Sequence, residues 1–399
     1  MAMFVATLAN PEPTGAPKMA QQYLTALLQA GHRVVVCVGP LAEGVAATIP
    51  AALHQAGAEV REVGCFQRPP SPRAAREVAD IARHAGADCL VGFQQRDRAI
   101  AAYAAAQADA RCVISAQNQH RFHGPGPVRA IKRRLFGRCL RRHADLVICT
   151  CQAVSDEVVN GFGVSPDRAR ILPNGIDVAS LTDPDPHIAQ RLRRELGIAD
   201  EQLMLLNVGR LAPQKGQDVL LSAFAPLAAQ DDRAALVLVG AAGDAPAEQR
   251  HARQLRGQVD RLGLAGRVIF AGPRADVPSL LAAADLYVHP ARWEGWPLAV
   301  VEAMAAGLPV VSTDCFGRPE GFVDGEAGWL VPTGQADPLR QAIQRAVGLT
   351  SAERGRMGKA ARQVAWRYDI AHIAERFVEL AVSVLDENKQ GNRCAAGDG

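Results

Sequence analysis

Short apolar runs alternate with longer helix-forming segments along almost the whole chain. This alternation is typical of a parallel sheet whose strands are joined by crossover helices, so that helices cover both faces of the sheet. Two such domains in tandem are expected to bind a ligand in the cleft between them. The runs form two series, which predict strands at Met3–Leu8, Arg33–Val38, Ala58–Val63, Asp88–Phe93, Arg111–Ser115 and Asp145–Cys149, and then at Leu203–Val208, Ala235–Gly240, Arg267–Ala271, Leu286–His289, Pro309–Ser312 and Gly328–Val331.

The length of 399 residues also favours two domains over one ordinary core. The polar segment Asp177–His187 interrupts the pattern and predicts the boundary. Within it, Asp183 and Asp185 resemble the Asp-x-Asp metal ligands of another sugar-transfer architecture, but two flanking prolines favour a spacer, and no metal site is predicted. We expect an N-terminal domain over 1–180, a C-terminal domain over 181–365, an amphipathic closing helix over 366–388 and a disordered tail over 389–399.

Charge, cysteine usage and hydropathy argue against several classes of protein. The net charge of +3 gives no case for nucleic-acid binding. The nine cysteines include no C-x-x-C pair, so we expect most of them to be buried thiols in a reducing cytosol. No secretory signal and no apolar run of ~18 residues is visible, which predicts a soluble cytoplasmic protein, or one bound at most to a membrane surface. No G-x-G-x-x-G motif occurs, which argues against a dehydrogenase.

Two carboxylates flank the start of a predicted helix in the second series. Glu294 lies in a Gly/Pro loop after a strand, Pro297 suits the first helical position, and Glu302 lies within the apolar helix Ala299–Ala306. Glu302 is either a structural acid bonded to nearby backbone or a ligand group, and Glu294 is either solvated or a ligand group. The N–H groups of residues 296–299 predict an anion site beside them, which favours a ligand that carries both hydroxyls and phosphate.

A loop in the same domain carries two cations after the strand Leu203–Val208. Gly209 is followed by Arg210 and Lys215, and the spacing does not fit a Walker motif. Loop cations of this kind are often only solvated. Because both residues follow a strand of the sheet that also delivers Glu294, they are expected to converge on one pyrophosphate. Asn174 lies in a turn after a short strand predicted within Ile171–Asp177.

Polar residues also follow two strands of the first domain. Gly15 in the first loop would let the backbone approach a phosphate, and Lys18 lies near the predicted helix start at Met19, although plain turn chemistry explains both equally well. Asn118 and His120 follow the fifth strand with His123, where polar groups commonly face a ligand. We interpret Lys18, Asn118 and His120 as acceptor-side residues.

The segment Arg129–Arg142 contains seven Arg or Lys residues interleaved with apolar residues at helical spacing. It predicts a basic amphipathic helix. Two interpretations remain open: the charged face is only solvated, or it rests on anionic lipid at a membrane surface.

Four motifs together make the chain resemble glycosyltransferase family 4, the retaining GT-B enzymes: P-N-G-I-D at Pro173–Asp177, G-R-x4-K at Gly209–Lys215, E-x7-E at Glu294–Glu302 and G-R-P-E-G-F-V-D-G-E-A-G-W-L-V at Gly317–Val331. The resemblance implies an α/β GT-B fold with two Rossmann-like domains facing each other across a cleft and the C-terminal helix packing back toward the N-terminal domain. It also implies a retaining hexosyltransferase without cofactor or metal, which moves a sugar from a nucleoside diphosphate sugar to a saccharide or lipid-linked acceptor in polysaccharide, lipopolysaccharide or glycolipid synthesis.

The resemblance also implies a role for each matching residue. Arg210 and Lys215 would hold the diphosphate and Glu294 would touch the donor sugar, which makes these three the catalytic residues. Glu302 would accept hydrogen bonds from the ribose hydroxyls. The other donor-binding residues would be Gly15, Asn174, Gly209, Arg274, Gly295, Trp296, Pro297 and Leu298. Relatives often carry two adjacent glycines in the first loop, where this chain has Gly15 followed by Ala16. The alternative is a GT-B-like epimerase or a sugar-nucleotide-binding protein without transfer.

Overall fold

The computed structural model describes residues 1–12, 15–40, 48–67, 72–95, 97–120, 126–182, 185–315 and 319–395. The chain divides into two compact units, Met1–Gly175 with Ile370–Gly399, and Ile176–Asp369. The first unit therefore contains both ends of the chain. The divisions after residues 175 and 369 lie close to the predicted domain limits at 180 and 365.

The first unit is built on seven parallel strands in the order β3-β2-β1-β4-β5-β6-β7. They are β1 Met3–Leu8, β2 Arg33–Val38, β3 Glu59–Glu62, β4 Cys89–Gly92, β5 Arg111–Ala116, β6 Leu146–Cys149 and β7 Ala169–Ile171. The helices before the second unit are α1 Gly15–Gln29, α2 Thr48–Gln55, α3 Pro72–Ala85, α4 Arg98–Ala108, α5 Gly126–His143 and α6 Gln152–Asp156. Most residues of β1, β2, β4, β5 and β6 are buried, as expected for inner strands of a parallel sheet covered on both faces.

The second unit is built on six parallel strands in the order β10-β9-β8-β11-β12-β13. They are β8 Leu203–Val208, β9 Ala234–Val239, β10 Val268–Gly272, β11 Leu286–His289, β12 Val310–Thr313 and β13 Gly328–Val331. Its helices are α7 Ala179–Thr182, α8 Pro186–Glu195, α9 Gln217–Gln230, α10 Pro246–Arg261, α11 Val277–Ala283, α12 Leu298–Ala305, α13 Ala336–Val347 and α14 Ser351–Ala365. The strand order reverses between β8 and β11, and a doubly wound sheet binds its ligand at such a point.

The last helix, α15 Ile370–Ala395, belongs to the first unit. Its Phe377 ring is stacked on the ring of Tyr23 in α1, with the ring centroids 4.2 Å apart. The predicted closing helix is therefore present, but its limits of 366–388 are wrong, because residues 366–368 form a separate 3-10 turn and the helix continues to Ala395. Residues 389–395, which the sequence assigns to a disordered tail, continue this helix in the structure. The polar composition of that tail did not reveal that a preceding helix would extend into it.

All twelve predicted strands are present, and their ends differ from the prediction by at most one residue. The short strand predicted within Ile171–Asp177 instead ends at Ile171, because it pairs with β6 through Ala169–Ile171. Among the described residues, no helix is long and apolar enough to cross a membrane.

Candidate active site

The loops that follow β8, β9 and β11 approach one another closely at the carboxyl edge of the second sheet. Gly216 has a φ of +67°, and a Cβ built on it would lie 2.0 Å from the carbonyl oxygen of Pro290. A Cβ on Gly240 would lie 2.1 Å from the carbonyl oxygen of Gly209. Glycine is required at both positions, because any side chain would push one loop away from the other.

An ion pair and several hydrogen bonds connect the loop after β11 to the loop after β8 and to the start of α9. The guanidinium of Arg292 donates to both carboxylate oxygens of Asp218, at 2.8 and 2.7 Å. The backbone amide of Arg292 donates to the carbonyl of Gln214 at 2.8 Å. Burial alone would raise the pKa of Asp218, but the hydrogen bonds and the charge of Arg292 outweigh it and hold that pKa below its usual value.

This arrangement brings two of the three predicted catalytic residues together. The ammonium of Lys215 forms an ion pair with Glu294, and their side chains are only 19% and 9% exposed. The side-chain amide of Gln214 donates to the second oxygen of Glu294 at 3.4 Å. Beneath the pair, Nε2 of the buried His289 lies 3.8 Å from Oε1 of Glu294. Glu294 is therefore not a freely solvated loop acid.

Arg210 lies on the same loop as Lys215 but has a different partner. Its guanidinium forms an ion pair with Glu248 in α10, and the Arg210 side chain is 55% exposed. The backbone carbonyl of Arg210 accepts a hydrogen bond of 2.9 Å from the side chain of Gln217. Gly209, the residue before it, donates its amide to Val239 in β9. The loop is thus fixed by its backbone while the guanidinium reaches solvent.

The helix α12 begins one residue later than the first helical position assigned to Pro297. Pro297 has φ −83° and ψ 89° and occupies the capping position, so Leu298 is the first helical residue. The amide of Leu298 donates to the carbonyl of Trp296 at 3.1 Å. The Leu298 amide is therefore not a free donor for the predicted anion site, because it already donates to a backbone carbonyl.

Glu302 is half-buried on α12. Burial raises the pKa of Tyr287 in β11, and the charges of Glu302 and Glu294 raise it further, although a hydrogen bond to the Val208 carbonyl acts in the opposite direction. Both acids of the E-x7-E motif are therefore near one buried tyrosine. That proximity groups Glu302 with Glu294 and Lys215 in a single region of the second unit.

The remaining predicted donor residues of this unit are held by structural contacts. The guanidinium of Arg274 donates to Asp276 at 2.8 and 2.6 Å and to Glu195 at 2.7 Å. The ring of Trp296 packs against the ring of Tyr368, with centroids 4.9 Å apart. Gly295 is buried. Of the last motif, Gly317 and Arg318 lie outside the described residues.

In the first unit, the predicted acceptor-side residues have unlike surroundings. Gly15 begins α1, so the helix starts earlier than Met19 and the exposed Lys18 belongs to its first turn. Asn118 is exposed, and its carbonyl lies 3.4 Å from a guanidinium nitrogen of the buried Arg98. The ring of His120 packs on Phe136 of α5, with centroids 4.0 Å apart.

Burial, together with the charge of Arg98, lowers the pKa of His120 to about 3. This ring is therefore a neutral, half-buried group and a poor proton acceptor at neutral pH. His123 lies outside the described residues. Asn174 is 5% exposed, and among the described residues its side-chain oxygen has no hydrogen-bond partner.

Gln94 and Asp97, which follow β4, hold the loop after β1 through hydrogen bonds to its backbone. The side chain of Gln94 accepts from the amide of Asn10 at 2.8 Å and donates to its carbonyl at 2.6 Å. The fully buried carboxylate of Asp97 accepts from the amides of Ala9 at 3.1 Å and Gln94 at 2.8 Å. Burial raises the pKa of Asp97 to about 7, although these hydrogen bonds partly oppose the shift.

Asp185 of the boundary segment caps a helix: its carboxylate accepts from the amide of His187 at 2.9 Å, at the start of α8. Asp183 lies outside the described residues. In the part of the chain that the structure describes, no group of three or more His, Cys, Asp or Glu residues is arranged to hold a metal ion. The cysteines whose side chains are described are all free thiols, and most of them are buried.

Both halves of the chain match family models. Residues 13–180 match the model described as Glycosyltransferase Family 4, and residues 189–364 match the model described as Glycosyl transferases group 1. D-inositol 3-phosphate glycosyltransferase from Corynebacterium diphtheriae is 30% identical over 298 residues, which are 72% of this chain and 68% of that relative. The chain belongs to glycosyltransferase family 4.

Other family 4 relatives match in the same way. The enzyme of the same name from Jonesia denitrificans is 31% identical over 275 residues, 65% of this chain and 63% of its own length. The chain thus spans just under two thirds of that relative. Among solved structures, HepE from Anabaena in complex with UDP has 25% identity and a TM-score of 0.81, with 96% of this chain and 100% of the HepE chain covered. HepE in complex with UDP-glucose has a TM-score of 0.80.

These comparisons confirm the predicted α/β GT-B fold and the family 4 resemblance. The sequence predicts that the loops of Lys215 and Glu294 converge, but it does not identify the residues that fix the loops of either unit: Gln214, Asp218, Glu248, His289 and Arg292 in the second unit, and Gln94 and Asp97 in the first. Arg292 lies beside Glu294 in the sequence. Its partner Asp218 becomes recognisable only once β8 and β11 are known to be neighbours, which the apolar pattern does not reveal.

Proposed function

We propose that this family 4 chain is a retaining glycosyltransferase, which moves a sugar from a nucleoside diphosphate sugar to a saccharide or lipid-linked acceptor. The proposal rests above all on the ion pair of Lys215 with Glu294, next to the exposed guanidinium of Arg210 on the same loop. Two cations and a carboxylate at the carboxyl edge of one sheet suit a ligand that carries a diphosphate and sugar hydroxyls. HepE, which shares the fold, has been solved with UDP and with UDP-glucose.

In this mechanism the cations act on the leaving group. Negative charge grows on the diphosphate as the bond to the sugar breaks, and positioned donors near that charge lower the barrier. Lys215 is nearly buried, so its charge is screened less by water than the charge of Arg210. Glu302 is expected to accept hydrogen bonds from the ribose hydroxyls, and Glu294 from hydroxyls of the donor sugar.

The same arrangement favours retention of the anomeric configuration. Glu294 is paired with Lys215, which we expect to hold the diphosphate, and this pairing favours a position for the carboxylate on the leaving-group side of the sugar. Attack on that same face can use the departing phosphate oxygen as the base, so no carboxylate is needed on the far face. NMR of the first-formed product measures the anomer directly, and an inverted product would contradict the proposal.

We also expect transfer to proceed without a divalent cation. Arg210 and Lys215 already supply positive charge where the diphosphate leaves, which is the role a metal ion plays in other transferases. The check is transfer activity after treatment with EDTA. Loss of activity that Mg²⁺ or Mn²⁺ restores would show that the two cations are not sufficient.

Nucleotide binding is tested most directly with UDP, GDP and ADP added to the purified protein. A ligand at 100 times its dissociation constant stabilises a protein by about 2.7 kcal/mol, which a thermal melt detects. We expect Lys215→Ala to weaken binding strongly. Arg233→Ala is the matched control, since Arg233 is 61% exposed and pairs with Asp231 away from this loop. Binding without transfer or hydrolysis of a sugar nucleotide would instead favour the non-transferring alternative.

The basic helix α5 supports a lipid-linked acceptor at the cytoplasmic face of a membrane. Its inner face is buried through Phe136, Cys139 and Leu140. On the outer side, Ile131 and Leu135 are 60% and 58% exposed among the cations. A purely solvated face does not require exposed apolar residues. A helix lying on anionic lipid uses its cations to bind the headgroups and its apolar side chains to enter the membrane surface.

Co-sedimentation with phosphatidylcholine vesicles, with and without phosphatidylserine, tests this surface. We expect binding only with phosphatidylserine and a decrease as salt is raised, because each Lys or Arg near an anionic surface contributes about 1 kcal/mol. The double variant Ile131→Ser/Leu135→Ser should bind less, and Leu262→Ser is the control at an exposed leucine of the second unit. Equal binding to both vesicles, or to neither, would leave only a solvated helix.

A further inference from the structure

His289 at the end of β11 is a buried polar side chain without a hydrogen bond. The residue is 1% exposed, and neither ring nitrogen has a hydrogen-bond partner among the described residues. Buried polar groups are nearly always bonded, because each unmet donor or acceptor loses its water without replacement. An unbonded imidazole in the core of a sheet therefore needs an explanation.

The ring faces the ion pair of the proposed active site. Its Nε2 atom lies 3.8 Å from Oε1 of Glu294, the oxygen that also binds Lys215. Burial, and after it the charge of Lys215, holds the pKa of His289 well below its usual value. The ring is therefore neutral and carries one N–H, which Nε2 can direct toward the carboxylate.

Glu294 would be left poorly bonded if Lys215 moved away. Its side chain is 9% exposed, and among the described residues its other hydrogen-bond donor is the side-chain amide of Gln214, at the long distance of 3.4 Å. A buried carboxylate that loses its cation is strongly destabilised unless another donor replaces it. His289 is an unbonded donor 3.8 Å away, and a movement of about 1 Å would bring Nε2 within normal hydrogen-bonding distance.

We propose that His289 is a positioning residue, which takes the place of Lys215 on Glu294 when a donor diphosphate binds Lys215. This inference rests on the proposed function, since the diphosphate supplies the competing charge. One oxygen of Glu294 then accepts from His289, and the other stays available for a hydroxyl of the donor sugar. An apolar residue would fill the same space but has no N–H to hold the carboxylate in place.

Nitrogen-15 NMR of the histidine side chains observes this exchange, with His289→Leu used to assign the signal. UDP is the probe. We expect the chemical shift of the His289 Nε2–H group to change, when UDP is added, to the value typical of an imidazole N–H that donates a hydrogen bond. The variant Lys215→Met should show the same shift without UDP, because Glu294 has already lost the ammonium. In the variant Glu294→Gln the UDP-dependent shift should be absent or much smaller.

Kinetics with the donor separate a positioning role from simple packing. We expect His289→Leu to lower kcat by about 10-fold or more, since a hydrogen bond to a charged group is lost. Its affinity for UDP should fall as well, because Glu294 then loses its cation without gaining a replacement donor. His289→Gln, which keeps an N–H, should recover most of the rate. His32→Leu in the first unit is the control for loss of an imidazole, and melts of all variants verify folding.

The outcomes distinguish this inference from the proposed function. If none of UDP, GDP and ADP binds, the proposed function is wrong and the exchange fails with it; if GDP or ADP binds in place of UDP, that nucleotide becomes the probe. If UDP binds but the His289 signal is unchanged, both with UDP and in Lys215→Met, the exchange alone is wrong. A His289→Leu enzyme with normal kcat, or a His289→Gln enzyme as slow as His289→Leu, would likewise contradict the positioning role.

Discussion

Replacing Gly216 by alanine should separate the two loops that carry Lys215 and Glu294. A Cβ at this position would lie 2.0 Å from the Pro290 carbonyl oxygen, and the φ of +67° disfavours any residue with a Cβ. Carbon and oxygen atoms that are not bonded stay about 3.0–3.4 Å apart, so one loop must move by roughly 1 Å. The Arg292–Asp218 ion pair resists that movement, because it holds the same two loops together.

A second glycine separates the two causes of strain. Gly197 has a φ of +70°, but nothing lies within 4 Å of a Cβ built on it. Gly197→Ala should therefore lower the free energy of unfolding by about 1–2 kcal/mol, the cost of holding an alanine in the left-handed conformation. Gly216→Ala adds an overpacking cost of about 1–3 kcal/mol, which brings its total to about 2–5 kcal/mol. The difference between the two variants measures the loop contact itself.

Tryptophan fluorescence is suited to this comparison. All four tryptophans, Trp293, Trp296, Trp329 and Trp366, lie in the second unit. Denaturant unfolding followed by their emission therefore reports the unit that contains both glycines. Donor turnover is measured alongside, and a displacement of about 1 Å at a catalytic group can cost ~10²-fold in rate.

The contact is refuted if Gly216→Ala and Gly197→Ala lose the same free energy of unfolding and turn over donor equally well. A large loss of stability in both variants would instead show that the left-handed conformation dominates. Loss of turnover in Gly216→Ala with unchanged stability would mean that the loops separate without strain, and the close approach would then matter only for catalysis.

Three further predictions concern single side chains. Lys215→Ala and Arg210→Ala should each lower turnover, because each removes about 2.7–4 kcal/mol of transition-state stabilisation, as the loss of an oxyanion donor does. Only Lys215→Ala should also lower the melting temperature, because it leaves Glu294 nearly buried without its cation, and equal melting temperatures would contradict the pairing. Glu302→Gln should weaken UDP binding, measured by calorimetry, because a neutral amide accepts ribose hydroxyls less strongly than a carboxylate; unchanged affinity with early melting would make Glu302 structural. The folded pKa of Asp97, about 7, lies above its ordinary value of 3.8, so the folded unit holds a proton that the unfolded chain has lost between these pH values. The free energy of unfolding should therefore fall as pH rises through this window in the wild type and less so in Asp97→Asn, as measured by circular dichroism; parallel curves would contradict the shift.

The sheets could be predicted from the sequence because parallel strands are buried on both faces. Runs such as Leu203–Val208 are apolar at nearly every position and end in loops with glycine or proline, so their limits are visible without a structure. Helix limits were less accurate. The start of α12 depends on the ψ of Pro297, which is 89° and not helical, and the sequence alone does not determine that angle.

The sequence predicted site residues only where a charged side chain follows a strand, because such a position suggests ligand binding. Lys215 and Glu294 both follow strands predicted to lie in one parallel sheet, so their charges and their place at its carboxyl edge suggested that they converge. The pairing of Arg210 with Glu248 was not visible, because Glu248 begins a polar helix in which it resembles any solvated acid. His289 was hidden for the opposite reason: it ends an apolar run and looked like part of the strand.

Arg210 and Lys215 differ in the free energy that a diphosphate must supply to break their existing ion pairs. Arg210 is 55% exposed, and exposed ion pairs contribute at most about 1 kcal/mol, so its exchange from Glu248 to a phosphate costs little. Lys215 is 19% exposed and its partner only 9%, so the same exchange leaves a desolvated carboxylate behind. We expect a site built this way to bind phosphate first through Arg210. We expect Lys215 to join when Glu294 gains other hydrogen bonds: one from His289 and, with a correctly placed sugar, more from the sugar hydroxyls. Discrimination between a nucleotide sugar and a bare nucleotide would then reside in Glu294.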